Sequence, residues 1–123
     1  MVKFFAIFIG GGLGAFLRYL AGSAFSKVSP FFPAGTLFVN ILGSFIIGLG
    51  YVLFLEKVNA PDEFKLFLTV GFCGGLTTFS TFSLDVWNFF VSGEFYRAFL
   101  YMLLSVILSI CALAAGVLIA KQF

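Results

Sequence analysis

The chain has 123 residues, of which 62% are hydrophobic and only 10% charged, and its formal net charge is +2. Soluble domains carry roughly 25% charged residues, so this composition and a mean hydropathy of +1.17 indicate a membrane protein. The small, scattered positive charge argues against a nucleic-acid partner. The chain has no histidine, which removes the commonest proton shuttle and metal ligand.

Four apolar segments are long enough to cross a bilayer, for which a helix needs about 20 residues. They cover residues 3–25, 34–55, 64–91 and 96–120. Short loops join them, and no soluble domain is left over. The sequence therefore predicts an all-α membrane protein in which residues 1–123 form one four-helix transmembrane domain.

The basic residues are divided almost evenly between the two ends of these predicted helices. The side with both termini has Lys3, Lys57, Lys65 and Lys121, and the other side has Arg18, Lys27 and Arg97. Because the Lys/Arg bias of loops sets the orientation of a membrane protein, this balance favours insertion both ways. It predicts a dual topology and an antiparallel homodimer.

The first two spans each have a stripe of small or polar residues. Gly10, Gly14, Arg18 and Gly22 recur every four residues, which predicts a helix face that another helix can approach closely. In the second span, Thr36, Asn40, Ser44 and Gly48 follow the same spacing. The second stripe fits either hydrogen bonding between helices or the lining of a pore, and its spacing alone leaves both open.

The third span contains an unusual block, Gly71-Phe-Cys-Gly-Gly-Leu-Thr-Thr-Phe-Ser-Thr-Phe-Ser83. Glycine and threonine both lower helix propensity, and an opened backbone in hydrocarbon is tolerated only inside protein or beside a wet cavity. We therefore expect a helix broken in mid-membrane at an ion or solute site. Carbonyls at such a break suit an alkali cation, and the positive ring edges of Phe79 and Phe82 suit an anion.

The fourth span adds Tyr101, Ser105 and Ser109 at intervals of four residues. This hydroxyl track fits a pore lining, although helical serines often bond only to their own backbone. The acidic residues fall in loops, except for Asp85 near the end of the third span. A proton-coupled cation exporter needs an acid at depth, so neutral donors favour passive anion passage. Without histidine, no hydrolase-type catalytic constellation can be assembled, and we expect no enzyme.

Three motifs together resemble the Fluc (CrcB) family of bacterial fluoride channels. They are the block described above, Gly35-Thr-Leu-Phe-Val-Asn40, and Gly12-Leu-Gly-Ala-Phe-Leu-Arg-Tyr19. The resemblance covers all four spans. It implies a fluoride-specific channel of the bacterial inner membrane, with two pores in an antiparallel homodimer and a structural Na⁺ at the dimer centre.

The resemblance also implies roles for particular residues. It makes Asn40 the pore amide, Phe79 and Phe82 the ring-edge contacts of fluoride, and Arg18 a vestibule residue. The Gly74 and Thr77 backbone carbonyls would bind Na⁺. The remaining pore positions that it implies are Ser80, Thr81, Tyr101, Ser105 and Ser109, and the second-span stripe adds Thr36 as a pore candidate.

Two other functions remain as alternatives. A small dual-topology multidrug or cation exporter would have the same size and charge balance, but it should contain a deep glutamate. A structural subunit would use its polar stripes only for contacts between helices.

Overall fold

The computed structural model describes all 123 residues, and every regular element in it is helical. Two of the helices contain π-helical turns, at Leu53–Lys57 in α2 and at Phe67–Cys73 in α3. The elements are α1 (Val2–Val28), α2 (Ala34–Lys57), α3 (residues 62–76), α4 (Phe79–Val91) and α5 (Phe95–Lys121).

Four spans are long and apolar enough to cross a membrane: Val2–Val28, Ala34–Lys57, Asp62–Val91 and Phe95–Lys121. This confirms the prediction of an all-helical protein with four potential transmembrane segments. The observed ends differ from the predicted ones by at most three residues, the largest difference being at Val28 of α1.

Glycines allow the backbones of α1 and α3 to pack closely against each other. A methyl group added at Gly10 would collide with the carbonyl oxygen of Phe67, and one added at Gly14 with that of Phe72. From the other side, Gly71 and Gly75 face the α1 backbone equally closely. We call Gly10, Gly14, Gly71 and Gly75 the glycine seam. It confirms that the first-span stripe serves close helix approach.

Helices α2 and α5 meet through a second pair of glycines. A methyl group at Gly48 would collide with the Leu113 carbonyl, and one at Gly116 with the Phe45 carbonyl. Small residues at such crossings let two backbones approach closely, which favours van der Waals packing where lipid offers no hydrophobic driving force. Backbone-close crossings thus join α1 to α3, α2 to α5 and, at Gly35, α2 to α1.

An aromatic core joins α4 to α5 near the loop after α1. Its fully or nearly buried members are Val86, Phe89, Ala98 and Tyr101. The Phe32 ring covers them and meets the Tyr101 ring edge-on, with ring centres 5.5 Å apart. This core fixes α4 beyond the point where the third span is interrupted.

The outer surface is more apolar than that of a soluble protein. Only 18 of 123 residues are buried, and Phe4, Phe8 and Phe99 are among many large apolar side chains that are mostly exposed. Contiguous apolar surface of this extent marks contact with lipid or with another protein. It agrees with four membrane-spanning helices.

Candidate ion pathway

The third span changes conformation at two residues. Thr77 (φ −85°, ψ 155°) and Thr78 (φ −153°, ψ 124°) are extended and separate α3 from α4. The Thr78 hydroxyl then caps α4 by accepting from the Thr81 backbone N–H at 3.1 Å, as threonine often does at a helix start. The Thr77 hydroxyl donates back to the Cys73 carbonyl at 2.8 Å, which ends α3.

Asn40 of α2 bridges this interruption with both ends of its carboxamide. Its Nδ2 donates to the Thr78 carbonyl at 3.1 Å, and its Oδ1 accepts from the Thr78 N–H at 2.7 Å. The amide therefore replaces the helical partners that Thr78 has lost. Since an amide nitrogen has two N–H groups, one of them is left for another acceptor.

Arg18 of α1 holds the other side of the interruption. Its Nε donates to the Gly75 carbonyl at 3.0 Å, within the last turn of α3. A positive charge at a helix C-terminus is stabilised by the helix dipole. The guanidinium also borders a cavity lined by Thr36 and Thr81, so these two predicted pore residues lie beside Arg18.

Most of the other predicted site residues share one open cleft of about 570 Å³. It lies between α2, the interruption and α5, and Gly43, Ser44 and Ile47 form part of its α2 side. The predicted residues that line it are Asn40, Gly74, Thr77, Phe79, Phe82, Ser105 and Ser109. We refer to it as the central cleft.

Three aromatic rings extend from the surface of the cleft to the core. The centres of the Phe79 and Phe82 rings are 5.4 Å apart, and those of Phe82 and Tyr101 are 5.2 Å apart. Phe79 is 78% exposed, whereas Tyr101 is completely buried. Phe82 therefore lies between an outward-facing ring and a fixed one.

Ser105 has the one buried side-chain polar atom without a hydrogen-bond partner. Its side chain lines the central cleft, yet the residue is only 7% exposed. A buried hydroxyl without a partner loses the free energy of its hydrogen bonds to water. Unlike Ser44 and Ser83, whose hydroxyls donate to carbonyls one turn back, Ser105 has a hydroxyl with no protein partner.

Asp85 is a neighbour of the site that was not among the predicted site residues. It lies six residues before the end of α4 at Val91, and its Oδ2 accepts from the Tyr101 hydroxyl at 2.9 Å. Asp85 and Thr36 also line one further cavity together. As the one acidic residue between Glu63 and Glu94, it could have been singled out from the sequence.

Ser80 lies apart from the central cleft lining. It is exposed at the start of α4, with its hydroxyl 3.2 Å from that of Thr78. Tyr101 likewise reaches the cleft only through the Phe82 ring. The structure thus gathers seven of the predicted residues in one cleft and arranges the others around it.

A four-span membrane protein whose interrupted span borders a neutral, hydroxyl-lined cleft has the architecture of a small channel or transporter. The chain matches the family described as CrcB-like protein, Camphor Resistance (CrcB) over residues 5–117. It belongs to this family, as the sequence motifs predicted. With its four apolar helices, it is a multi-pass membrane protein.

The names of curated relatives state the activity found in this family. The chain is 50% identical over 117 residues to "Fluoride-specific ion channel FluC 1" of Nitrobacter hamburgensis, covering 94% of this chain and 93% of the relative. It is 48% identical to the FluC protein of Nitrobacter winogradskyi over the same shares, and 39% identical to that of Sulfurihydrogenibium over 99% of both chains. The family is one of ion channels, so the prediction that this protein is no enzyme is confirmed.

Proposed function

We propose that this protein is a passive, fluoride-specific channel of the bacterial inner membrane, which exports cytoplasmic fluoride down its electrochemical gradient. It would act as an antiparallel homodimer with two pores. The names of its relatives support fluoride as the transported ion. The observation that supports the central cleft as the ion pathway is the unpartnered hydroxyl of Ser105, a residue that lines it.

Fluoride is small and strongly hydrated, so a pore must replace its water with other donors without binding it too tightly at any point. The spare N–H of Asn40 and the hydroxyls of Ser105 and Ser109 border the same cleft. None of them is charged. They can therefore bind an anion and also release it.

The rings of Phe79 and Phe82 add weaker contacts. Ring edges are the positive part of an aromatic quadrupole, and the two planes are tilted by 45°. An anion that leaves the amide would find these rings in the same cleft. Such graded contacts favour movement along the pathway over tight binding.

The exposed surface of the interruption supports a dimer. Phe79, Gly74 and Ser80 all face outward beside the cleft, which would leave an opened backbone in contact with lipid. A second copy against this face would cover it and close the cleft. The balanced loop charge supports the antiparallel arrangement of the two copies.

The carbonyls of the interruption are suited to a sodium ion. Gly75 and Thr78 carbonyls accept from Arg18 and Asn40, whereas no cap or turn backbone bond ends at the Gly74 or Thr77 carbonyl. Gly74 and Thr77 both line the central cleft. Neutral oxygen ligands of this kind bind hard cations, and a bound Na⁺ would supply positive charge beside the two pores.

The decisive experiment is an efflux assay with a fluoride electrode on liposomes that contain the purified protein, with chloride as the control ion. We expect rapid fluoride efflux and no chloride efflux. Retention of fluoride together with proton-driven uptake of an organic cation would instead indicate the exporter. That alternative is not favoured, because the relatives bear the name of fluoride channels.

The orientation of the subunits can be tested separately. Single cysteines introduced at Lys27 and at Lys121, in a background without Cys73 and Cys111, would be labelled from one side of intact vesicles. Dual topology predicts that, at each position, about half of the cysteines are labelled from outside the vesicles. Full reaction at one position and none at the other would contradict the antiparallel dimer.

A further inference from the structure

The interruption exposes several carbonyls, yet side chains engage only some of them. Arg18 Nε is bonded to Gly75, and Asn40 Nδ2 is bonded to Thr78. These two side chains come from different helices, α1 and α2, and reach the interruption from different directions. Their targets are three residues apart: Gly75 precedes the extended segment, and Thr78 is its second residue.

The carbonyls that remain are those of Gly74, Leu76 and Thr77. Leu76 is 2% exposed and does not line the cleft. Gly74 is exposed, Thr77 is half-buried, and both border the central cleft. A cation that enters from the cleft therefore meets one accessible pair of carbonyls.

We propose that Arg18 is a positioning residue for a monovalent cation, and that Asn40 shares this task. By engaging the Gly75 and Thr78 carbonyls, they fix the interruption so that the Gly74 and Thr77 carbonyls form the cation site. This inference rests on the proposed sodium site. It assigns Arg18 a role in cation binding that differs from the vestibule role implied by the resemblance.

Two physical features support the assignment to Arg18. Its Nε donates to a carbonyl in the same turn as Gly74, so the orientation of that turn depends on the bond. Its charge is partly buried against the C-terminus of α3, where charge-assisted hydrogen bonds are stronger than neutral ones. Without the bond, this turn would be held only by the contact of Gly75 with the α1 backbone, and its carbonyls would be less precisely oriented.

The test measures thermal unfolding of the detergent-solubilised protein in sodium chloride and in N-methyl-D-glucamine chloride, followed by the fluorescence of the single tryptophan, Trp87. For the unaltered protein we expect stabilisation that rises with Na⁺ concentration. In Arg18→Gln, the Na⁺ concentration for half of this effect should rise about tenfold, because a charge-assisted bond is lost. Asn40→Ala should shift it in the same direction.

Lys27→Gln is the matched control, since it removes an exposed charge from the same helix without touching the interruption. It should respond to Na⁺ like the unaltered protein. A purely structural role of Arg18 would lower the unfolding temperature equally in both salts and leave the Na⁺ response unchanged, which would overturn the proposal.

The outcomes separate this proposal from the proposed sodium site. If the unaltered protein shows no Na⁺ response, the sodium site itself fails. If the unaltered protein responds and both Arg18→Gln and Asn40→Ala respond equally well, only the positioning role fails. If both variants aggregate in either salt, the two contacts hold the fold rather than the cation site, and the positioning role is likewise refuted.

Discussion

The two halves of the third span are fixed by opposite means. Helix α3 is fixed by backbone contact, because the residues of the glycine seam have no side chains and its backbone therefore lies directly against α1. The interruption and the start of α4 are held by polar side chains, above all Arg18 and Asn40. Close packing fixes one half, and a few hydrogen bonds present the other half to the cleft.

This difference explains where function can be located. The glycine seam leaves no space for a ligand between α1 and α3, so it can only stabilise the packing of these two helices. The interruption has spare polar groups and borders the central cleft, so it can bind. Substitutions in the seam should therefore affect the fold first, and substitutions at the cleft should affect ion flux first.

The largest effect is expected in the seam, from Gly14→Ala. The added methyl group would collide with the Phe72 carbonyl and the Leu76 N–H, and overpacking of this kind costs about 1–3 kcal/mol. We expect a sharp fall in the yield of monodisperse protein and in its unfolding temperature.

Gly12→Ala is the control for this prediction. It lies on the same helix, and an added methyl group there meets nothing within 4 Å. It should leave stability unchanged or slightly raised, since alanine favours a helix. Equal stability of the two variants would show that the seam does not hold α3.

At the interruption, Asn40→Asp should abolish fluoride efflux while the protein still folds. The carboxylate keeps the acceptor for the Thr78 N–H but loses the donor to the Thr78 carbonyl, and it puts a negative charge in the anion path. Repulsion between two like charges about 4 Å apart is worth about 4 kcal/mol at an effective dielectric constant of about 20, which corresponds to a flux decrease of about 1,000-fold.

Ser44→Ala provides the control one turn along α2. Ser44 borders the central cleft, but its hydroxyl proton is already donated to the Asn40 backbone carbonyl, so efflux should change little. Unchanged efflux through Asn40→Asp would refute the pore role of the amide.

Phe82→Ile should reduce fluoride efflux about tenfold, because the loss of an aromatic contact is worth up to about 1.4 kcal/mol. The dimer should survive, as judged by gel filtration. Phe99→Ile, at an exposed ring away from the cleft, should leave efflux unchanged. A monomer in the Phe82→Ile sample would show that this ring mainly packs the fold.

The smallest effect is expected for Ser105→Ala, and its two readouts should differ. Fluoride efflux should fall about fivefold, since a hydrogen bond contributes about 1 kcal/mol. Stability should not fall, because the hydroxyl has no protein partner to lose. A destabilised variant with normal efflux would show that Ser105 serves the fold instead of the ion.

Regular periodicity made the helices predictable. Four apolar runs of sufficient length give the spans, and the spacing of Gly10 and Gly14 gives the close face of α1. The family motifs supplied the candidate residues. What the sequence could not supply was the partner of each polar side chain.

Asn40 shows why. Its spacing fitted helix contact and pore lining equally well, and in the structure one amide group binds the Thr78 backbone while a second N–H remains free. Asp85 was left out of the candidate site for a related reason. Its pairing with Tyr101 depends on how α4 packs against α5, which periodicity along one chain does not encode.

The length of the third span has a consequence for its position in the bilayer. With 30 residues and an extended pair inside it, the span has a contour length of about 49 Å, against about 30 Å of hydrocarbon. Its ends must therefore tilt or project among the lipid headgroups, and Thr77–Thr78 offers a joint about which the halves can incline separately. The Lys3–Asp62 ion pair at one end would then lie among phosphates and counter-ions, which makes membrane thickness and surface charge direct influences on this span.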